Sequence, residues 1–160
     1  MHYTDMSVLL IWLLRGVLGA PSYKDVPSYW VSKVFPKTNS VYFLSKKKHR
    51  CLLHPMNELC KTIGGYLAEL DSVDEENFVA GFIKAHTKNN AFIGANDVKR
   101  EGTFVYYNSK KPMPALKWLR GEPNDLNGED CVEFKHTGLN DVKCDYISHY
   151  ICELRLKRFI

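Results

Sequence analysis

Residues 118–131 read WLRGEPNDLNGEDC and form the stretch of sequence that says most about the fold. Between Glu122 and Asp130 this stretch places four carboxylates within nine residues. Carboxylates held so close together repel one another unless a cation shares them. Calcium takes roughly six to eight oxygen ligands, and the stretch offers Asp, Glu and Asn but no His. It therefore fits calcium better than zinc, with a solvated acidic surface loop as the alternative.

Two further acidic groups lie on either side of this loop. Asn140 and Asp141 follow it, whereas Asn96-Asp97 and Glu101 precede it by more than twenty residues. The loop does not match the D-x-[DN]-x-[DN]-G pattern of an EF-hand. Any calcium site built from these groups is therefore of another kind.

Two helices are expected in the first half of the chain. Pro55 suits the first turn of a short helix over residues 56–62, which Gly64-Gly65 ends. Ser72 and Glu75 form a capping box that opens a second helix. The apolar residues of this second helix recur at helical spacing and should face the core: Phe78, Val79, Phe82 and Ile83.

Short apolar runs predict strands between and after the helices. The basic run at residues 46–50 is instead expected to be a solvated turn. Helices early and several short strands late indicate an α+β fold. The predicted strands cover residues 41–44, 66–70, 91–94, 104–107, 131–134 and 150–152.

Length and composition exclude several classes of protein. A chain of 160 residues suits one domain, and 12% aromatic residues argue against disorder. A net charge of +4, from 22 basic and 18 acidic residues, is too mild for a nucleic-acid-binding surface. The sequence contains no G-x-S-x-G, P-loop or H-E-x-x-H motif, so no enzyme is expected.

The amino terminus is expected to direct export. Residues 6–14 form an apolar run that is too short to span a bilayer, which takes about 20 residues, but it suits a signal peptide. We therefore expect residues 1–19 to be a cleaved signal peptide and residues 20–25 a leader. The mature protein would be secreted and would have no membrane span. An uncleaved anchor and a core helix are the alternatives, because Asp5 and no basic residue precede the run.

Cysteine usage agrees with an extracellular protein. The five cysteines include no C-x-x-C pair, and their spacing fits long-range disulfides. An odd number leaves at least one thiol over. Two bonds among five cysteines can be arranged in fifteen ways, so the residues alone do not select the pairing.

In these pieces the sequence resembles a C-type lectin-like domain, and within that family the mannose-type branch with its Glu-Pro-Asn motif. The resemblance covers residues 26–154 and leaves a basic tail at 155–160. Its matching segments are Val26–Trp30, Gly64–Leu67, Phe92–Ala95, Trp118–Asn124, Glu129–Cys131, Leu139–Asp141 and Tyr150–Glu153. Leu139 departs from the family, which commonly has Trp there.

The resemblance implies two helices, two small antiparallel sheets and a long calcium-binding loop held by disulfides. The implied disulfides are Cys60–Cys152 and Cys131–Cys144. Cys51 is then unpaired, either as a buried thiol or as one half of an intermolecular bridge.

The resemblance also implies the ligands of two calcium ions. The principal site, which would bind the sugar as well, uses Glu122, Asn124, Glu129, Asn140 and Asp141. Pro123 is expected to be cis within it. The auxiliary site uses Asp97, Glu101, Asp125 and Asp130.

The function so implied is a secreted, calcium-dependent lectin that takes part in microbial recognition. Its ligands would be glycans with equatorial 3- and 4-hydroxyls, of the mannose, fucose or N-acetylglucosamine type. The alternative is a calcium-stabilised interaction module of the same fold that binds protein or mineral surfaces and not sugar. The natural glycan and the oligomeric state stay open.

Overall fold

The computed structural model describes residues 28–135 and 137–157. Its helices are α1 (Leu53–Lys61) and α2 (Val73–His86). Its strands are β1 (Tyr29–Val31), β2 (Ser40–Ser45), β3 (His49–Arg50), β4 (Tyr66–Leu67), β5 (Ala91–Asn96), β6 (Val105–Tyr106), β7 (Cys131–Lys135), β8 (Gly138–Val142) and β9 (Ile147–Arg155). The expected signal peptide, the leader and the end of the basic tail lie outside the described residues.

The predicted α+β class is confirmed, and the sheet topology refines it. The main path of the sheet runs β1-β2-β9-β5-β7-β8, while β3 and β4 also pair with β9 and β6 pairs with β5. The pairing of β5 with β9 is parallel, and the other pairings among the described strands are antiparallel. This one parallel pair joins the expected antiparallel sheets into a single mixed sheet.

The core lies between α2 and the sheet, as the helical spacing predicted. Val79, Phe82 and Ile83 are buried in one cluster with Ile93 and Ile151 of the central strands. Full burial of such side chains contributes roughly 1.5–3 kcal/mol each. Phe78 packs against the edge of the same cluster and is only partly buried. The α2 stripe is therefore structural.

The start of α2 confirms one half of the predicted capping box. The Ser72 hydroxyl accepts a hydrogen bond from the Glu75 backbone N–H at 3.3 Å. The Glu75 carboxylate, however, accepts from the Asp71 backbone N–H at 2.7 Å and from the Tyr42 hydroxyl. Because Glu75 is fully buried and reaches the sheet, it joins the helix end to β2 instead of returning to Ser72.

Several strands differ from the sequence prediction, three of them as follows. The basic run was predicted as a turn, yet its last two residues, His49–Arg50, form β3 against Ile147–Ser148. Strand β8 was not predicted, because Asn140 and Asp141 interrupt its apolar pattern. The run at 66–70 pairs only over Tyr66–Leu67. In each case cross-strand pairing, which the local pattern does not record, decides the outcome.

Both implied disulfides are present. Cys60–Cys152 joins α1 to β9 across 92 residues, and Cys131–Cys144 closes the β7–β8 hairpin across 13 residues. Cys51 is fully buried, and its thiol donates to the Ser148 carbonyl at 3.4 Å. Burial raises the pKa of the Cys51 thiol to about 12. The structure therefore favours a buried thiol over an intermolecular bridge.

Neither described helix is long and apolar enough to cross a membrane.

Candidate calcium and carbohydrate site

The loop that carries the acidic residues is fastened to β8 where it begins. Leu119 donates its N–H to the Leu139 carbonyl at 2.9 Å, and the Leu139 N–H donates to the Lys117 carbonyl at 2.9 Å. The Leu139 side chain is fully buried, so the residue that replaces the family's Trp still fills the core. The Glu122–Pro123 peptide bond is cis, as the resemblance implied.

Asp141 of β8 holds the centre of this loop. Its carboxylate accepts hydrogen bonds from the backbone N–H of Asn124 at 2.9 Å and of Asp125 at 2.7 Å. The Asn124 side-chain amide in turn donates to Glu122 Oε2 at 2.6 Å. Three of the five principal ligands predicted from the resemblance are therefore joined by direct hydrogen bonds.

Carboxylate crowding extends to Glu129. Desolvation, followed by hydrogen bonding and repulsion from Asp141, raises the pKa of Glu122. The pKa of Glu129 is also raised, first by desolvation and then by the charge of Asp141. The charge of Asp141 thus disfavours charge on Glu122 and Glu129, a condition that a divalent cation relieves.

Asn140 faces a buried carboxylate that sequence reasoning missed. Its amide donates to Glu133 Oε1 at 3.4 Å, and Asn90 donates to the same oxygen at 2.8 Å. Burial raises the pKa of Glu133 to about 7. The sequence does contain one indication of this buried carboxylate, because Glu133 lies between Val132 and Phe134 in an apolar strand. Since Glu133 Oε1 accepts from both amides, Glu133 fixes the orientation of the Asn140 side chain.

The auxiliary set forms the tighter cluster. Carboxylate oxygens of Asp97, Glu101 and Asp130 lie within 4.8 Å of one another. Asp97 Oδ2 accepts from the Gly102 N–H at 2.8 Å, whereas its Oδ1 is buried without a hydrogen-bond partner among the described residues. Desolvation and then neighbouring charges raise the pKa of both Asp97 and Glu101. A buried, unpaired oxygen among three carboxylates fits a hard cation such as calcium.

Asp125 connects the two sets. Its backbone N–H donates to Asp141, and its Oδ1 accepts from the Glu129 N–H at 2.9 Å. Its charge also helps to raise the pKa of Glu101, although desolvation and the charge of Asp97 contribute more. These contacts and the carboxylate cluster link eight of the nine predicted ligands, whereas the amide of the ninth, Asn140, contacts Glu133 instead. Within residues 28–135 and 137–157, Glu122, Glu129 and Asp141 do not form a second three-carboxylate group within 4.8 Å.

Solved structures share this fold. The mouse scavenger receptor C-type lectin carbohydrate-recognition domain superposes with a TM-score of 0.67 at 21% identity, covering 84% of this chain and 98% of that one. The cow CD23 carbohydrate-recognition domain, solved in the presence of a GlcNAc2Man3 oligosaccharide, gives 0.65 at 21%, covering 88% and 98%. The murine dendritic cell inhibitory receptor 2 domain, in complex with N-glycan, gives 0.64 at 23%, covering 86% and 100%.

Sequence comparison identifies the family. Human CD209 antigen is 32% identical over 114 residues, which cover 70% of this chain and 28% of CD209. Siamang (Symphalangus syndactylus) CD209 antigen is 35% identical over 97 residues, covering 59% of this chain and 25% of that protein. The chain thus spans about a quarter of the length of these relatives. The family model for the lectin C-type domain matches residues 53–154, well over half of the chain, so this protein belongs to the C-type lectin domain family.

Proposed function

We propose that this protein is a secreted, calcium-dependent lectin for mannose-, fucose- or N-acetylglucosamine-type sugars. The observation that carries the proposal is the hydrogen-bonded set at Asp141, which holds Asn124 beside Glu122 on an exposed loop. These are the residue types that bind calcium and sugar hydroxyls together. Calcium would be held by Glu122, Asn124, Glu129, Asn140 and Asp141.

The side chains of this set supply complementary hydrogen bonds to a sugar. Bound calcium would provide coordination positions for two vicinal hydroxyls. Glu122 and Glu129 accept hydrogen bonds from hydroxyls, whereas the amides of Asn124 and Asn140 donate to them. Mannose and N-acetylglucosamine present equatorial 3- and 4-hydroxyls side by side, which favours them over galactose, whose 4-hydroxyl is axial. Fucose also has an axial 4-hydroxyl, so it would bind through its equatorial 2- and 3-hydroxyls.

An auxiliary calcium at Asp97, Glu101, Asp125 and Asp130 completes the proposal. The buried, unpaired Oδ1 of Asp97 supports it. Because Asp125 contacts both Asp141 and Glu129, occupation of this site would stiffen the loop that carries the sugar-binding residues. The relatives point the same way, since structures of this fold were solved with an oligosaccharide or an N-glycan.

One observation favours the alternative of a calcium-stabilised module that binds protein or mineral surfaces. In the described part of the chain, only Asp97, Glu101 and Asp130 form a group of three carboxylates whose oxygens lie within 4.8 Å of one another. A protein that used calcium for stability alone would need no more than this cluster.

A glycan array probed with calcium and with excess chelator separates the two functions. The lectin should bind mannose- and fucose-terminated glycans in calcium and lose them in chelator. Calcium-dependent thermal stabilisation without any glycan signal would support the interaction module and reject the lectin. For secretion, the protein recovered from culture medium should begin at Ala20.

A further inference from the structure

A cavity lies at the other end of the sheet from the acidic loops. It forms where β7 ends and where β5, β9 and β3 begin, and its volume is about 240 Å³. Lys135, at its rim, is four residues beyond Cys131 along β7, about 13 Å away. The cavity shares no lining residue with the proposed calcium ligands, although buried Glu133 binds both Asn90 of the lining and Asn140 of the ligand set.

The lining of this cavity is basic. Lys48 comes from the β2–β3 turn, Lys88 from the loop after α2, and Lys135 from the end of β7. No acidic residue is among the residues that line it. In the described portion of the chain, the ion pairs do not involve any of these three lysines. Three lysines from distant parts of the sequence thus border one cavity.

The acidic groups next to this cavity have other partners. Asp145, which precedes the lining residue Tyr146, pairs with Arg50 at 2.9 Å. Glu133 is buried, its Oε1 accepts from Asn90 at 2.8 Å, and the charge of Lys135 acts on its carboxyl group. Three lysines against this one carboxylate leave the cavity with an excess of positive charge.

The floor of the cavity is rigid, and its rim is partly apolar. Ser148 donates to the Asn90 carbonyl at 3.1 Å, which ties the loop after α2 to β9. Tyr146 and Ile147 are 50% and 62% exposed. Apolar side chains of this kind can pack against the C–H face of a sugar ring, while the lysines face a charged substituent.

We infer that the cavity lined by Lys48, Lys88 and Lys135 binds a sulfate ester carried on a saccharide. Lysine binds an oxyanion as a point charge with three donors, so several lysines suit a tetrahedral anion. The volume is below the roughly 300–1,000 Å³ of pockets for drug-sized ligands, so it admits one substituted ring and not a whole oligosaccharide. The interaction needs no calcium, so it is independent of the proposed function.

Titration with a heparin-derived hexasaccharide, in chelator and at low salt, tests this inference. Binding should shift the backbone amide signals of Asn89, Asn90 and Ser148, and it should weaken as salt screens the charges. Fully desulfated heparin of equal length, which keeps its carboxylates, should not bind. A phosphorylated hexasaccharide of the same length should also bind if any tetrahedral anion is accepted. If it does not bind, the cavity selects sulfate over phosphate.

Matched triple variants separate the cavity from net charge. Lys48→Gln, Lys88→Gln and Lys135→Gln together should lower hexasaccharide affinity about tenfold or more. The control removes the same charge at three exposed lysines outside the cavity: Lys33→Gln, Lys111→Gln and Lys157→Gln. The control should change affinity less than about threefold.

Three results would overturn the inference. These are equal losses in both triple variants, amide shifts away from the cavity, and equally tight binding of single-stranded DNA of the same charge. Because every arm runs in chelator, failure here says nothing about the calcium-dependent lectin site, and failure of that site leaves this test intact.

Discussion

The two acidic sets are built in opposite ways. At Asp97, Glu101 and Asp130 the carboxylate oxygens converge within 4.8 Å, and one of them is buried without a partner. At Asp141 the carboxylate is already bound by two backbone N–H groups, and Asn124 binds Glu122. The carboxylates of the first set converge on one another, whereas the central carboxylate of the second set binds its own loop. Ligand type alone therefore does not show how a site is organised.

The largest expected effect comes from Asp141→Ala. This change removes a proposed calcium ligand and leaves two backbone N–H groups without their acceptor, at about 1–3 kcal/mol each. We expect sugar affinity to fall by about 100-fold or more.

Asp97→Ala should weaken calcium binding but lower sugar affinity less than about tenfold, because Asp141 still holds the loop. Calorimetry with calcium and with methyl mannoside measures both.

Asp145→Ala is the matched control, because Asp145 is an exposed carboxylate paired with Arg50. It should bind calcium and sugar like the parent protein. If Asp97→Ala proved as damaging to sugar binding as Asp141→Ala, the contrast between the two sets would be wrong.

The double change Glu122→Gln with Asn124→Asp sharpens the role of the second set. It exchanges acid and amide at constant charge, so calcium should still bind while preference moves towards galactose. Each mispaired polar contact costs on the order of 1–3 kcal/mol, so selectivity should shift by roughly tenfold or more. Inhibition constants for mannose and galactose measure the shift. A variant that binds calcium and keeps the full mannose preference would show that this pair does not set specificity.

Glu133→Gln tests the buried carboxylate behind Asn140. Because burial raises the pKa of Glu133 from 4.5 to about 7, its contribution to stability is full below about pH 4.5 and is lost as the pH rises to about 7. The neutral amide should raise the free energy of unfolding by about 1–3 kcal/mol at pH 8 and change little at pH 5. Urea denaturation at both pH values measures this, with exposed Glu58→Gln as the control. An equal effect at the two pH values would refute the assigned burial cost.

Acid should act in opposite directions with and without calcium. The raised pKa values of Glu122 and Glu129 give stability that is full below the ordinary carboxyl range and is lost as pH rises through the raised values. In chelator, lowering the pH towards the ordinary carboxyl range should therefore raise Tm. In calcium it should lower Tm, because protons compete for the ligands. Scanning calorimetry would contradict the idea if both curves moved together.

Cys51→Ser should have the smallest effect. Cys51 lies outside both acidic sets, and a serine hydroxyl can donate to the Ser148 carbonyl as the thiol does. Sugar affinity and calcium affinity should not change, and non-reducing gels should show monomer for both proteins. A reducible dimer in the parent protein that disappears in the variant would restore the intermolecular bridge.

The types of the candidate ligands and the buried apolar face of α2 could be predicted from the sequence. The spatial arrangement of those ligands could not. Asp97 and Asp130 are far apart in the chain, and they come together because Asn96 pairs with Cys131 at the adjoining ends of β5 and β7. Glu133 and Asn140 face each other through the β7–β8 register. The basic run becomes β3 only because β9 offers it a partner. These are non-local pairings, and local residue patterns contain no record of them.

Strand β9 has a consequence for how the protein is made. It pairs with β2, β3, β4 and β5, and it also holds Cys152, the partner of Cys60. During synthesis all four of those strands leave the ribosome before residues 147–155 do. Their edges stay open until β9 arrives, and contacts so distant in sequence form slowly. We therefore expect the nascent chain to depend on chaperones up to its last strand, and a chain that stops before Ile147 to be retained and degraded.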